Sequence, residues 1–388
     1  MKVINVVGAR PNFMKIAPIM DAWRGHPNVE PLLVHTGQHH DHAMSDLFFN
    51  ELQIPRPDVN LGIHGGGHIS QHARVMLAFE EVCESEKPDL VLVVGDVNST
   101  LSCALVASKL GIRVAHVEAG LRSYDRTMPE EINRVLTDSI SDYLFVSEES
   151  GLVNLAREGL DHEGVHFVGN VMIDSLYRNR DRAAQSTLLT DLKIAPRTYA
   201  TLTMHRPANV DDPEILKGLL EVVKRVSEEL EIVFPAHPRT LDRLKRFGLE
   251  DRLHTLENVR VIEPQGYLDF LHLVSNSRVI LTDSGGIQEE ATALKVPCVT
   301  LRDSTERPAT CLVGSNRLAG TRPDRVWRAY REAMEMDESA FGVPAKWDGR
   351  AAVRITELLA RQPLGPRPQS LAWTKSAAMP RLSRVDEE

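Results

Sequence analysis

The segment Arg278-Val-Ile-Leu-Thr-Asp283-Ser284-Gly285-Gly286-Ile-Gln-Glu289-Glu290 carries an apolar run straight into two glycines and then into a helix-like stretch. A strand turning into a helix there leaves its first backbone N–H groups unbonded at the positive end of the helix dipole. A pyrophosphate fits that geometry. Ser284, Gly285 and Gly286 are therefore candidate anion-binding residues, and Glu290, within two helical turns, could accept hydrogen bonds from ribose hydroxyls. The same string also permits a plainer reading, with Ser284 as an N-cap and the glycines only closing the turn.

A second phosphate-facing element is Gly8-Ala9-Arg10-Pro11-Asn12-Phe13-Met14-Lys15, again directly after an apolar run. It lacks the three glycines of a dinucleotide fingerprint, which disfavours NAD, while Arg10 and Lys15 supply cations suited to a leaving phosphate. A basic pair at a helix start is otherwise a solvated surface. Three acids sit at strand ends or just beyond: Asp96 after Leu90-Val-Leu-Val-Val-Gly95, Glu118 after Val114-Ala-His116-Val, and Glu130 after Met128-Pro129. Carboxylates at the mouth of a cleft can accept protons. Alternatively, Asp96 caps the following helix, Glu118 pairs with an arginine, and Glu130 favours a helix start; its neighbour Glu131 reads as structural. Thr203-Met204-His205-Arg206-Pro207 puts a histidine able to move a proton, and an arginine able to meet phosphate, at another strand end. Arg302 and Arg307 follow the last apolar run as cationic clamps.

These residues need a scaffold. Short β-branched runs alternate with helical stretches: Val3–Val7, Leu32–Thr36, Leu90–Val94, Val114–Val117, Tyr143–Val146 and Val165–Val168, then Tyr199–Met204, Glu231–Phe234, Val259–Ile262, Val279–Thr282 and Cys298–Leu301. Such alternation predicts α/β architecture with parallel sheets covered by helices. Two Rossmann-like domains facing a cleft follow, an N-terminal one over 1–170 carrying the acids and a C-terminal one over 171–349, with ligand at the carboxyl ends of the strands. The polar, proline-rich stretch 362–388 reads as a tail.

With 388 residues, 42% hydrophobic and 26% charged, the chain is globular in composition and long enough for two cores. A net charge of −9 disfavours nucleic acid as a partner. Cys83, Cys103, Cys298 and Cys311 are widely spaced, which suits buried thiols in a reducing compartment. The N-terminus fails as a signal peptide and no apolar run reaches the ~18 residues of a membrane span, so a cytoplasmic location without membrane contact is expected. His39, His40 and His42, like His64 and His68, lack an accompanying metal-site motif, and no metal is predicted.

In this order, GARPNFMKIAP, GDVNST, HVEAGLRS, MPEEINR, HRPAN, LTDSGGIQEE and STERP resemble the non-hydrolysing UDP-N-acetylglucosamine 2-epimerases across residues 1 to about 358. The resemblance implies a fold of the glycosyltransferase-B type, a homodimer, a C-terminal helix near 350–360 packing back on the first domain, and no nicotinamide, cofactor or metal. It implies reversible conversion of UDP-N-acetylglucosamine to UDP-N-acetylmannosamine through elimination and re-addition of UDP. Asp96, Glu118, Glu130 and His205 match the catalytic positions; Ser284, Gly285, Gly286 and Glu290 match the UDP-ribose site, and Gln265 and Phe270 the uracil segment. Gln38 and His237 match positions where bacterial members bind a second substrate molecule as activator. Asp41 stands where glutamine is usual and Gly65-Gly66-Gly67 where an arginine is common, so weak or absent activation is expected. HRPAN lacks the third charge of the more familiar His-Arg-Arg-Glu form, leaving room for a modified sugar. A hydrolysing epimerase, a retaining glycosyltransferase and a non-catalytic UDP-sugar sensor are the competing readings.

Overall fold

The computed structural model describes residues 1–37 and 51–361, with the side chain of Arg10 excepted. Gln38, His39, His40, Asp41, His42 and the 362–388 stretch thus lie outside the described residues. Two parallel sheets carry the fold, as the alternating runs predict. The first contains β1 (Lys2–Val7), β2 (Glu30–His35), β3 (Val59–Asn60), β4 (Leu90–Val94), β5 (Arg113–Ala119), β6 (Tyr143–Val146) and β7 (Val165–Phe167), in the order β3-β2-β1-β4-β5-β6-β7. The second contains β8 (Tyr199–Thr203), β9 (Glu231–Pro235), β10 (Val259–Ile262), β11 (Val279–Thr282), β12 (Cys298–Thr300) and β13 (Asn316–Leu318), in the order β10-β9-β8-β11-β12-β13. This is α/β architecture with two doubly wound sheets. The edge strands β3 and β13 are the ones absent from the expectation. They span two and three residues, too few to show a period.

The central strands are buried on both faces, which is why they read as continuous apolar runs. Every residue of β4 is buried, and so is every residue of β8 and of β11. In each sheet the strand order reverses once, between β1 and β4 and between β8 and β11. Outward-running crossovers diverge at such a point and leave a crevice at the carboxyl ends. The loops leaving those four strands contain Gly8–Ala9, Gly95–Asp96, His205–Arg206 and Asp283–Ser284. The topology thus puts candidate residues separated by some two hundred positions at two facing crevices.

Helix Val171–Ala183 joins the halves. Its Val171, Leu176 and Ala183 belong to the apolar cluster of Val3, Phe13, Ile16 and Trp23 in the first half, together with Tyr267 and Leu271 from the second. Ala351, Ala352, Ile355 and Leu359 of helix Ala351–Arg361 complete that same cluster, so the end of the described chain packs against the first sheet's helices. Asp174 fixes this return by accepting from the N–H groups of Ala351 (3.1 Å) and Ala352 (2.7 Å). Among the described residues no helix is long and apolar enough to cross a membrane. The cysteines are all free; Cys83, Cys103 and Cys298 are buried and Cys311 is partly so.

Candidate active site

Helix Gly285–Leu294 starts directly behind β11 with Ser284 at its N-cap position, yet the serine side chain makes no capping bond. The plainer capping role is therefore not taken. Ser284 N–H is occupied by Thr282 Oγ1 at 3.0 Å. A methyl group on Gly285 would lie 2.7 Å from Nη1 of Arg307, so glycine is needed there to let the guanidinium cross the helix start. Cation and helix terminus thereby face the same point, an arrangement suited to a diphosphate.

Arg307 is buried, and four acids surround it. Its Nε lies 2.7 Å from Glu289, Nη1 3.4 Å from Glu306 and Nη2 3.5 Å from Glu118, with Asp96 further out. These carboxylates hold its pKa well above the ordinary arginine value despite burial. Arg302 is likewise occupied, donating to both oxygens of Glu306 at 3.1 and 3.0 Å. The two expected clamps are thus not free cations. Glu306, unremarked in the sequence, ties them together and also meets Arg134 at 3.3 Å. Burial opposes ionisation of Glu306, but the three arginines outweigh it and hold the carboxyl far below its usual range.

Lys15, on helix Arg10–Trp23, makes a short contact to Oε2 of Glu118, and both side chains are buried. Glu118 occupies a register shift between Val117 and Ala119 at the carboxyl end of β5, where its φ is +75°. The left-handed conformation costs about 1–2 kcal/mol for a non-glycine residue and turns the carboxylate out of the strand. Among the described residues its Oε1 accepts no hydrogen bond and has Arg307 Nη2 as an ion-pair neighbour at 3.5 Å. Gly95 runs beneath the pair: its φ is +68°, and a Cβ there would be 2.8 Å from Lys15 Nζ and 3.2 Å from Glu118 Oε2.

Asp96 does not cap the helix after it, whose N-cap is Val97. It accepts instead from Arg134, 3.0 Å from Nε and 2.9 Å from Nη2. Desolvation would raise its pKa, but Arg134, Lys15 and Arg307 together hold it below the ordinary aspartate value. Asp96 is thus an ionised, partly exposed carboxylate. Glu130 is half-buried near the start of helix Pro129–Ile140, and its charge favours the guanidinium of Arg206, whose pKa burial and Arg302 nonetheless hold below the ordinary arginine value. Glu131 points the other way: it is buried, pairs with Arg134 and accepts from the N–H groups of Ser123 and Tyr124 at 2.9 Å each.

From the second half, His205 presents its Nδ1 to Asp283 Oδ1 at 2.9 Å. Asp283 is buried and its Oδ2 accepts from the backbone N–H of His205 and Arg206, at 2.8 Å each, and from Asn209 Nδ2 at 3.1 Å. Burial opposes its charge, but His205 and these donors hold its pKa below the ordinary value. Nδ1 faces this carboxylate, which leaves Nε2 to act on a ligand. Asp283 escaped the sequence reading because an acid before Ser284-Gly285-Gly286 looks like part of the turn. Arg206 Nε donates to Asp283 O at 3.1 Å.

Glu290 is buried beside Tyr267, and burial, reinforced by Glu289 and opposed by Tyr267, pushes its carboxyl up to about 8. Phe270 packs against the apolar cluster of Val274, Ile280 and Ile287, while Gln265 donates to Glu263 O at 2.6 Å. His237 caps helix Pro238–Arg246 by accepting from Arg239 N at 3.1 Å, and its ring lies 5.6 Å from that of His205. Among the described residues no cluster of three metal-ligating side chains occurs. Asp96, Glu118, Lys15 and Arg307 form one charge cluster across the two halves, with Glu130 and Arg206 beside it; Glu290, Phe270 and Gln265 lie along the second half from there.

Residues 21–360 match the family model described as UDP-N-acetylglucosamine 2-epimerase. A UDP-N-acetylglucosamine 2-epimerase of Methanocaldococcus jannaschii is 44% identical over 367 residues, covering 92% of this chain and 99% of the relative. The UDP-2,3-diacetamido-2,3-dideoxy-D-glucuronate 2-epimerase of Pseudomonas aeruginosa is 40% identical over 368 residues, covering 93% and 100%. The crystal structure of the M. jannaschii UDP-GlcNAc 2-epimerase in complex with UDP-GlcNAc and UDP superposes with a TM-score of 0.86 at 43% identity, covering 93% of this chain and all of that one. With a family match over most of its length and relatives above 40% identity, this chain belongs to the UDP-N-acetylglucosamine 2-epimerase family.

Proposed function

We propose that the protein interconverts UDP-N-acetylglucosamine and UDP-N-acetylmannosamine without net hydrolysis. The observation that carries this reading is the buried cluster in which Glu118 and Asp96 from one half meet Lys15 and Arg307 next to the helix start at Ser284. The C2 proton of the sugar is not adjacent to a carbonyl, so a carboxylate alone faces a large pKa gap. Loss of UDP from C1 removes that obstacle by building positive character at C1 as the proton leaves. The C2–H electron pair becomes the C1–C2 double bond of a glycal, the C1–O pair departs on the β-phosphate oxygen, and the proton rests on a carboxylate. Re-addition of UDP to C1 with protonation of C2 from the opposite face gives the epimer. Two faces call for two acid–base groups, to be drawn from Asp96, Glu118 and Glu130.

The cations act on the leaving group. Lys15, Arg307 and His205, with Arg10, hold the departing diphosphate, and preorganised charge in a closed site is commonly the largest single contribution to catalysis. Because Glu118, Glu289 and Glu306 already fix Arg307, little reorganisation is needed when phosphate charge develops. Ser284, Gly285, Gly286 and Glu290 hold UDP throughout, and Gln265 and Phe270 meet its base. Arg206 assists at the phosphate, its charge supported by Glu306, Asp283 and Glu130.

The 40% identity to the diacetamido-glucuronate epimerase, together with Pro207 and Ala208 in the place of further charge after His205-Arg206, supports a second reading in which C3 and C6 of the sugar are modified. One experiment addresses both. The protein is incubated with UDP-N-acetylglucosamine, then with the diacetamido-glucuronate form, in deuterated water, and the C1 and C2 protons are followed by NMR. Deuterium entering C2 with UDP-N-acetylmannosamine appearing is expected. Free N-acetylmannosamine would instead indicate hydrolysis, binding without turnover would indicate a sensor, and epimerisation without C2 exchange would sink the elimination route. The proposal includes a homodimer formed through helices His68–Glu86 and Pro129–Ile140, which expose Ile69, Leu77, Ile132 and Leu136. Light scattering giving a monomer mass would contradict it.

A further inference from the structure

Behind Glu118 lies a buried network of side chains to which no ligand contact has been given. His116, two residues before Glu118 on β5, is fully buried, with Nδ1 2.6 Å from Asp138 Oδ1 and Nε2 2.8 Å from the carbonyl oxygen of Gly95. Gly120, two residues after Glu118, donates its N–H to Asp138 Oδ2 at 3.0 Å. Arg122 Nη1 reaches the same Oδ2 at 2.7 Å and is itself held by Glu158 through Nε (2.8 Å) and Nη2 (2.6 Å). One carboxylate, on the last turn of helix Pro129–Ile140, therefore grips β5 on both sides of the irregularity that presents Glu118.

The grip extends to the second acid. Gly95 donates its N–H to Val117 O at 3.0 Å and accepts from His116 at its own carbonyl, so the peptide leading into Asp96 is fixed from both ends by the strand that bears Glu118. Gly95 also forms the floor under the Lys15–Glu118 pair. A left-handed residue at a bulge persists only where its surroundings over-determine it, and here the two fixed points either side of Glu118 converge on Asp138. We infer that Asp138 is a positioning residue for the epimerisation, holding the Glu118 bulge through Gly120 and the Gly95–Asp96 loop through His116. The inference rests on the proposed roles of Glu118 and Asp96. Its distinctive consequence is a separation of effects. The network lies wholly in the first half, whereas the helix start at Ser284 and the proposed uridine contacts lie in the second, so loss of Asp138 disturbs the acids far more than the hold on UDP, of which Lys15 is the contact that rests on the network. The low pKa of Asp138, held down by His116 and Arg122 against burial, agrees with a permanently charged tether.

The test is Asp138→Ala in the full chain. Alanine offers no acceptor, so the Gly120 and His116 tethers are both lost, whereas asparagine could keep both by donating its NH2 to Nδ1 of a neutral His116. A misplacement of about 1 Å at a reacting group costs on the order of 10²-fold in rate. We expect kcat and the rate of deuterium entry at C2 to fall together by that order, with the Kd for UDP within about twofold of wild type and a cooperative melt. A folded Asp138→Ala protein with wild-type kcat would overturn the inference, as would a loss of UDP affinity equal to the loss in kcat, which marks general damage. If that variant does not fold, Arg122→Lys is measured instead. It leaves Asp138 and His116 in place and loosens only the outer clamp, so a severalfold fall in kcat at unchanged UDP affinity supports the inference and an unchanged kcat refutes it. Wild-type protein that turns over without C2 exchange removes the elimination reading itself, a result distinct from any variant's.

Discussion

Binding of UDP should expel a proton from Glu290. The residue lies in the second turn of helix Gly285–Leu294, 2% exposed, with a carboxyl pushed up to about 8 by burial. At pH 7 about nine-tenths of the ligand-free molecules then carry it protonated. Two ribose hydroxyls donating to its two oxygens need the carboxylate, because the acid form makes one oxygen a donor, so occupancy by both hydroxyls ionises it. One pH unit of mismatch costs about 1.4 kcal/mol at pH 7 and nothing above the pKa, so UDP affinity should rise about tenfold between pH 7 and pH 9. Titration calorimetry at pH 7 in buffers of different ionisation enthalpy reads the proton directly, with about 0.9 released expected. UDP has a titrating phosphate of its own, and Glu148 and Glu289 are also raised by burial, so the decisive quantity is wild type minus Glu290→Gln. Glutamine can still accept from a hydroxyl but has no proton to lose. Equal proton release by the two proteins would refute the reasoning.

Glu118→Gln should lower kcat by about 10²–10⁴-fold, the usual range for removing a general acid or base, with deuterium entry at C2 falling in parallel; normal epimerisation would end the role given to Glu118. Gly285→Ala pushes a methyl to 2.7 Å from Arg307, whose guanidinium is held by Glu118, Glu289 and Glu306. Its kcat/KM should drop at least about tenfold, and a value near wild type would mean the guanidinium moves freely. Stability should depend on pH with a definite sign. Glu290, Glu148 and Asp174 have folded values of about 8, about 7 and about 6, above the ordinary 4.5, 4.5 and 3.8, so the stability they contribute is complete at low pH and lost as pH rises through those values. Asp96, Asp138, Asp283 and Glu306 are shifted the other way and lose their contribution only in acid. The melting temperature without ligand should therefore peak near pH 5 and fall by several degrees towards pH 8.5, and Asp174→Asn should flatten the portion below about pH 6. A melting temperature that climbs over that range would contradict the assignment.

The α/β class, the strands flanking both crevices and the helix start at Ser284 were legible because their signals are local. A buried parallel strand is a continuous apolar run, and a glycine pair after it marks a helix N-terminus whatever the rest of the chain does. Asp96, Glu118 and His205 could be singled out for the same reason, as polar residues where an apolar run stops, and Glu130 as an acid that opens a helix after Met128-Pro129. Their partners could not. Asp283 meets the His205 backbone across 78 positions, and Arg134 meets Glu306 across 172, pairings set by which side chains two separate sheets desolvate together. Sequence placed Arg302 and Arg307 near phosphate as clamps, but only the folded chain shows them already neutralised by Glu306 and Glu289, which turns loose cations into a fixed electrostatic frame. The strands β3 and β13 were missed because two or three residues at a sheet edge take their conformation from a neighbour rather than from their own pattern. Local propensity and periodicity thus determined what the elements are, while charge pairing in a desolvated cleft, which depends on distances through space, decided what the site's residues are able to do.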